Sequence, residues 1–94
     1  MAFGRRLGGA LDMSNEEEEE TIVNNLASYM KWKLRNNAHK EHWRQTPIQV
    51  LLRRLREETN ELEKALEHGN FVQEECADVA NFAAMILDNY EMGL

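Results

Sequence analysis

The sequence contains a single cysteine, Cys76, so no pair of cysteines is available for an intrachain disulfide. This scarcity is typical of proteins from reducing compartments. The chain also contains no apolar run as long as a membrane span, and residues 1–13 lack the apolar segment of a secretory signal. We therefore expect a soluble, cytoplasmic protein that has no membrane partner and no disulfide framework.

Basic residues are also in short supply, because 17 acidic residues face 11 basic ones and the formal net charge is −6. Binding to phosphate backbones requires clustered lysine and arginine, so we expect no nucleic-acid partner. An acidic protein that handles polyphosphates would need a metal ion to bridge the two negative partners. The 94 residues form one small domain, and oligomerisation is one way in which such short chains gain stability.

No segment alternates apolar and polar residues as a half-buried strand would, whereas apolar residues recur at helical spacing. We predict a flexible leader over residues 1–13 and an all-α domain over residues 14–94 with three main helices. The first helix should run from about 15 to 37, because Ser14 and Glu17 have the spacing of a capping box. Its predicted apolar stripe consists of Ile22, Val23, Leu26, Met30 and Leu34.

Two further helices are predicted on either side of a tight turn. Thr46 and Pro47 suit the N-cap and first position of the second helix, and Gly69 suits its C-terminal cap. Asn70 would cap the third helix, with Gln73 at the capping-box position. So short a connection predicts an antiparallel helical hairpin. The predicted stripes are Ile48, Leu51, Leu52, Leu55, Leu62 and Leu66, then Val72, Cys76, Val79, Ala83, Ile86 and Tyr90.

The two helices of this hairpin carry acidic residues on facing sides. At about 100° per residue, Glu58 and Glu61 flank the stripe of the second helix. Glu75 and Asp78 do the same on the third helix, whereas Glu57 projects away. At about 1.5 Å per residue, Glu61 and Glu75 lie roughly 12 and 9 Å from the turn. Glu58 and Asp78 lie roughly 16 and 14 Å from it, so the pattern predicts one cluster of four carboxylates.

Four gathered acids repel one another and raise one another's pKa values, so a positive group must compensate them. Oxygen ligands without histidine or cysteine favour Mg²⁺ or Mn²⁺ over softer metals. A di-iron carboxylate centre is excluded because it requires Glu-x-x-His motifs. Pairs of the form Glu-x-x-Glu are also common on ordinary solvated helices. A purely structural cluster, satisfied by Arg53, Arg54 and Arg56, therefore remains the open alternative.

Residues 57–61 (EETNE) and 75–78 (ECAD) resemble the E-E-x-x-E … E-x-x-D signature of the MazG-like, all-α nucleoside triphosphate pyrophosphatases. The resemblance covers about residues 26–90, and the segment 33–43 looks like the upstream part of phage and mobile-element members. It implies a MazG-like helical domain that assembles into a homodimer or homotetramer, with active sites completed across helices. A three-helix chain too small to close a bundle comfortably agrees with such an oligomeric helix bundle.

The resemblance implies an enzyme that hydrolyses a nucleoside triphosphate, (d)NTP, to (d)NMP and pyrophosphate by attack of water at the α-phosphorus. Such an enzyme would either remove damaged nucleotides or control normal pools. Mg²⁺, or Mn²⁺ in its place, would be held by Glu58, Glu61, Glu75 and Asp78, and the catalytic base would be Glu61 or Glu58. The substrate-binding candidates are Lys33, Lys40 and Arg54 for the triphosphate, Trp43 (or Trp32) for the base, and Asn81, which projects off the apolar face, for a phosphate.

A non-enzymatic helical adaptor or antitoxin-like oligomerisation module is the competing interpretation, because it would need only the apolar stripes. It would leave the acidic cluster without a role. We expect Mg²⁺ and a non-hydrolysable nucleoside triphosphate together to raise the melting temperature of an enzyme of this type, since ligands that bind only the folded state stabilise it. Differential scanning fluorimetry measures this shift, and an adaptor should show no specific gain.

Overall fold

The computed structural model describes residues 14–37 and 42–94 of the chain. All the regular structure in these two stretches is helical, which confirms the predicted all-α class with three main helices. The predicted leader and the residues 38–41, which include Lys40, lie outside the described part. The elements are α1 (Asn15–Asn36), a short 3₁₀ helix (Trp43–Gln45), α2 (Ile48–His68) and α3 (Val72–Glu91).

Helix α1 begins with the predicted capping box. The backbone N–H of Glu17 donates to Ser14 Oγ at 3.2 Å, and the N–H of Ser14 donates to Glu17 Oε1 at 3.0 Å. These two bonds satisfy N–H groups that have no partner within the helix. At the other end, the side-chain amide of Asn37 donates to Lys33 O at 2.9 Å and closes the last turn.

Helix α2 begins one residue later than predicted. Pro47, not Thr46, occupies the N-cap, and its carbonyl accepts the N–H groups of Val50 and Leu51. Thr46 is already committed to the preceding 3₁₀ turn, because its N–H donates to Trp43 O at 3.0 Å. Its hydroxyl also donates to His42 O at 3.4 Å. Thr46 is thus the C-cap of the 3₁₀ helix, and the N-cap of α2 falls on the next residue.

The turn between α2 and α3 contains the predicted Gly69, whose φ of 72° is left-handed. The prediction that Asn70 caps α3 is wrong, because Phe71 occupies that position with a φ of 59°. Asn70 still belongs to the end of α2: its N–H, like that of Gly69, donates to Ala65 O. With only three residues between them and extensive mutual packing, α2 and α3 form the predicted antiparallel hairpin.

Helix α3 makes the main tertiary contacts, since it packs against α2, α1 and the 3₁₀ helix. Its most buried line runs through Ala77, Asn81 and Asn89, which are 0%, 4% and 1% exposed. The predicted stripe is therefore wrong in phase, and Tyr90, one of its members, is 76% exposed. Helices α1 and α2 cover α3 from different sides, so the most buried face of α3 lies between the two surfaces that contact them. The polar residues Asn81 and Asn89 are tolerated on this face because their side-chain amides donate to backbone carbonyls.

The apolar stripe of α1 is only partly covered. None of its residues is fully buried, and Ile22 and Val23 are exposed by 44% and 62%. On α2, Leu51 is 2% exposed, but Leu66 near the turn is 62% exposed. Among the described residues, the fully buried apolar side chains are limited to Leu51, Ala65 and Ala77. No described helix combines the length and apolar character needed to cross a membrane.

The segment that precedes α2 is anchored to the end of α3. Asp88 accepts hydrogen bonds from Trp43 Nε1 at 2.7 Å and from Arg44 Nε at 2.8 Å. The hydrogen bonds from Arg44, then that from Trp43, lower the pKa of Asp88 to about 2. Asn89 donates to the carbonyls of Trp43 and Thr46 at 2.9 and 3.1 Å. These bonds place the start of α2 beside the C-terminal part of α3.

We predict that Gly69→Ala destabilises the fold by about 1–2 kcal/mol, because a side chain at a left-handed φ clashes with its own backbone. Gly93→Ala is the matched control, since Gly93 has a φ of 78° but lies beyond the end of α3. Apart from its immediate chain neighbours, no atom of the described residues lies within 4 Å of either added Cβ, so crowding does not separate the two variants. Urea unfolding measures both free energies, and equal losses would contradict a special role for the α2–α3 turn.

Candidate metal centre

Three of the four predicted carboxylates meet where α2 and α3 face each other. Glu58 projects from α2, and Glu75 and Asp78 project from α3, three residues apart and hence on one face. One carboxylate oxygen from each residue lies within 4.8 Å of the others. All three side chains are partly buried. We call these three residues the carboxylate triad.

The triad changes the acidity of Glu58 most strongly. Partial burial, then the negative charge of Asp78 and a hydrogen bond with Asp78, raise the pKa of Glu58 from 4.5 to about 7. The charge of Glu75 acts in the same direction, whereas that of Arg54 opposes it. Glu58 is therefore shifted toward the protonated form near neutral pH, and a cation at this position would favour the ionised form.

Glu75 experiences the same environment. Burial, followed by the charge of Asp78, raises its pKa, and the positive charge of Lys33 opposes the rise. Its Oε2 atom is buried and has no hydrogen-bond partner among the described residues. A buried acceptor without a donor is costly, and a metal ligand is one of the roles that explain it. The donor set, three carboxylates with one unpaired buried oxygen, therefore fits a hard divalent cation.

Helix α1 contributes a positive charge to the triad. Lys33 Nζ lies 3.2 Å from Asp78 Oδ2, and the two side chains are 22% and 18% exposed. An ion pair this far removed from solvent is screened less than one at the open surface. The sequence predicted Lys33 as a phosphate ligand, and the described structure places it against a carboxylate.

Glu61, the fourth predicted carboxylate, lies beside the triad. Its side chain is 51% exposed and pairs with Lys64 Nζ at 3.3 Å. Glu61 and Glu75 line the same cavity, and the charge of Glu61 raises the pKa of Glu75. Glu57 points away, as predicted, and its side chain is 56% exposed. Arg54 pairs with Glu57 at 3.4 Å rather than with Glu58, and its guanidinium lies 5.2 Å from the centre of the Phe82 ring.

Two other predicted substrate-binding residues have partners within the fold. Trp43 donates its Nε1 hydrogen to Asp88, and its ring stacks on His42 at a centroid distance of 4.0 Å. The helical projection implied that Asn81 projects off the packed face. The residue is only 4% exposed, so this expectation is wrong and Asn81 lies within the packed face. Its side-chain amide donates to Met30 O at 3.1 Å, which links α3 to α1.

An open cavity of about 190 Å³ lies next to the triad at the hairpin turn. Glu75 of the triad lines it together with Glu61, Lys64, His68 and Phe71. Phe71 is 64% exposed, and the sequence pattern predicted neither Phe71 nor His68 as a site residue. The signal for Phe71 was a large aromatic residue directly after a Gly-Asn turn, where smaller polar residues usually occur.

No family model, curated protein sequence or solved structure matches this chain. The resemblance to the MazG-like family therefore rests on the residues quoted above. The geometry of the triad stands on the structure alone.

We predict that Glu58→Gln raises the melting temperature of the metal-free protein at pH 7.5 by roughly 4–8 °C. This shift corresponds to a gain of about 1 kcal/mol in the free energy of unfolding of a small domain, a figure that allows for solvent screening. The pKa of Glu58 is raised from 4.5 to about 7 in the folded state, so its contribution to stability is complete below pH 4.5 and is lost as the pH rises through 7. Melting temperatures measured from pH 4 to 8 without divalent ions should therefore fall less in this variant than in the wild type.

Glu57→Gln provides the control, because Glu57 lies on the same helix but is exposed and paired with Arg54. It should leave the pH dependence of the melting temperature unchanged. A wild-type protein whose stability does not decline between pH 4.5 and 7.5 would contradict the described electrostatics of the triad.

Proposed function

We propose that the protein is a Mg²⁺-dependent nucleoside triphosphate pyrophosphohydrolase that converts a (d)NTP to the corresponding (d)NMP and pyrophosphate. The observation that supports this most directly is the triad, in which oxygens of Glu58, Glu75 and Asp78 lie within 4.8 Å of one another. The second support is the resemblance of residues 57–61 and 75–78 to the family signature. The substrate class follows from that resemblance, because side-chain geometry does not identify a base.

In this proposal, Glu58, Glu75 and Asp78 hold the metal ion. When bound, Mg²⁺ or Mn²⁺ supplies positive charge to the phosphate oxygens and makes water more acidic. The carboxylates, two of which have raised pKa values, become fully ionised when a divalent cation is present. Metal affinity should consequently rise with pH through the pKa of Glu58.

The reaction itself requires a base, an electrophile and a leaving group. The oxygen of a water molecule forms a bond to the α-phosphorus, and the bond from that phosphorus to the α,β-bridging oxygen breaks. Pyrophosphate departs with the electron pair of that bond. We assign the water proton to Glu61, because this carboxylate lies beside the triad without belonging to it. Glu58, the other candidate base, is committed to the metal.

Lys33 has a further part in the proposal. Its ammonium group lies 3.2 Å from Asp78 and partly offsets the charge of the triad. A divalent cation held there would take over that task, and the ammonium group would then be available to pair with a phosphate oxygen of the substrate. Lys40, predicted for the same role, lies outside the described residues.

The test is pyrophosphate release from a panel of canonical and modified nucleoside triphosphates, measured with Mg²⁺ and again after addition of EDTA. We expect Mg²⁺-dependent release, with the monophosphate as the second product. Asp78→Asn and Glu61→Gln should each lower kcat by roughly 100-fold or more, as expected for loss of a metal ligand and of a general base.

Glu57→Gln serves again as the control, with unchanged turnover expected. Far-ultraviolet circular dichroism should show the same helical content for all variants. Either full turnover in both Asp78→Asn and Glu61→Gln, or no pyrophosphate from any nucleotide, would contradict the proposal.

The second candidate function is that of a helical oligomerisation module without enzymatic activity. It is favoured by large apolar side chains on the described surface: Leu66, Phe71, Leu87 and Tyr90 are 62%, 64%, 56% and 76% exposed. Exposed apolar surface on a small chain commonly marks a protein interface. A homodimer or homotetramer is compatible with either function. Light scattering measures the oligomeric state, and the pyrophosphate assay then distinguishes an oligomeric enzyme from an oligomeric adaptor.

A further inference from the structure

Asn81 connects the middle of α3 to the middle of α1. Its side-chain Nδ2 donates to the carbonyl oxygen of Met30 at 3.1 Å, and the residue is 4% exposed. In an α-helix that carbonyl already accepts the N–H four residues further on, so the contact uses its second lone pair. The bond is therefore a tie between two helices that is not needed to complete the backbone bonding of α1.

This tie lies one turn away from the ion pair at the triad. Met30 precedes Lys33 by three residues on α1, and Asn81 follows Asp78 by three residues on α3. Residues three apart share a helix face, so the Asn81–Met30 bond and the Lys33–Asp78 pair at 3.2 Å are adjacent links between antiparallel segments. Sliding α1 by one residue would shift it by about 1.5 Å and rotate its side chains by about 100°, which would break both links.

Apolar packing alone constrains this register weakly. None of the α1 residues is fully buried, and Ile22 and Val23 are largely exposed. A polar group buried in an otherwise apolar helix interface selects one register, because every other alignment leaves it without a partner. Asn81 also carries a cost, since its Oδ1 is buried with no partner among the described residues. A buried polar residue of this kind adds little to the free energy of unfolding, but its one directed hydrogen bond favours a single alignment of the two helices.

We propose that Asn81 is a positioning residue that sets the register of α1 on α3 and thereby brings Lys33 to the carboxylate triad. The register is a property of the fold alone. Its consequence for turnover rests on the proposed function.

The direct test is an NMR comparison of metal-free wild type, Asn81→Leu and Asn89→Leu. Leucine has a similar size and removes the amide. Asn89 is the matched control, because it lies on the same helix, is 1% exposed, and also has a buried Oδ1 without a partner, but its amide bonds to the segment before α2. We expect nuclear Overhauser contacts between the Lys33 side chain and Asp78 in the wild type and in Asn89→Leu, and their loss in Asn81→Leu.

Thermal unfolding accompanies this comparison, since a general loosening of the fold would also weaken the contacts. Asn81→Leu should melt no lower than Asn89→Leu, so loss of the Lys33 contacts in the more stable variant supports a positioning role. Retained contacts in Asn81→Leu, or equal loss in both variants, would overturn the proposal.

A kinetic cycle with Lys33→Met tests the consequence for the site. We expect Lys33→Met to lower kcat/KM about tenfold in the wild type and in Asn89→Leu, but less than twofold in Asn81→Leu, where Lys33 is already displaced. Additive losses in Asn81→Leu would overturn the link between the two residues. If the wild type releases no pyrophosphate, the proposed function fails, and the NMR comparison alone decides the register.

Discussion

Repulsion among three carboxylates is the constraint on which the rest of this structure depends. Glu58, Glu75 and Asp78 lie close together in a partly buried position, where burial, then the charge of Asp78, raises the pKa of Glu58 to about 7. Folding holds them together against this repulsion because the α2–α3 turn, closed by Gly69 at a left-handed φ, sets their heights along the hairpin. Lys33 offsets part of the charge from a third helix. In the proposed function, a divalent cation held by the three carboxylates would offset the remaining charge.

The described part of the chain contains a small apolar core supplemented by directed polar contacts. Asn81 ties α1 to α3, and Asn89 with Asp88 ties the segment before α2 to the end of α3. Buried amides add little net stability, but they distinguish one packing arrangement from its neighbours. In a fold with few fully buried side chains, such contacts determine which residues face the triad. The apolar side chains left on the surface are compatible with further assembly.

Local signals predicted the helices well wherever the neighbouring sequence contained all the partners. The capping box at Ser14 and the left-handed Gly69 are confirmed, because each depends on residues within a few positions. The predicted caps at Thr46 and Asn70 are wrong for a shared reason. Each residue is held by the preceding turn, and Thr46 O also accepts a bond from distant Asn89. In both cases the preceding turn extends through the predicted cap residue, so the next helix begins one residue further along the chain.

The sequence by itself determined the helical class, the hairpin and the heights of the four carboxylates, since these follow from periodicity, one turn and the rise per residue. The tertiary structure alone decided that Glu58, Glu75 and Asp78 come together while Glu61 pairs with Lys64. It also placed Lys33 against Asp78 and buried Asn81. The physical reason is that the rotation of α3 about its axis is set by two neighbours at once, and the periodicity of a single helix does not contain that information.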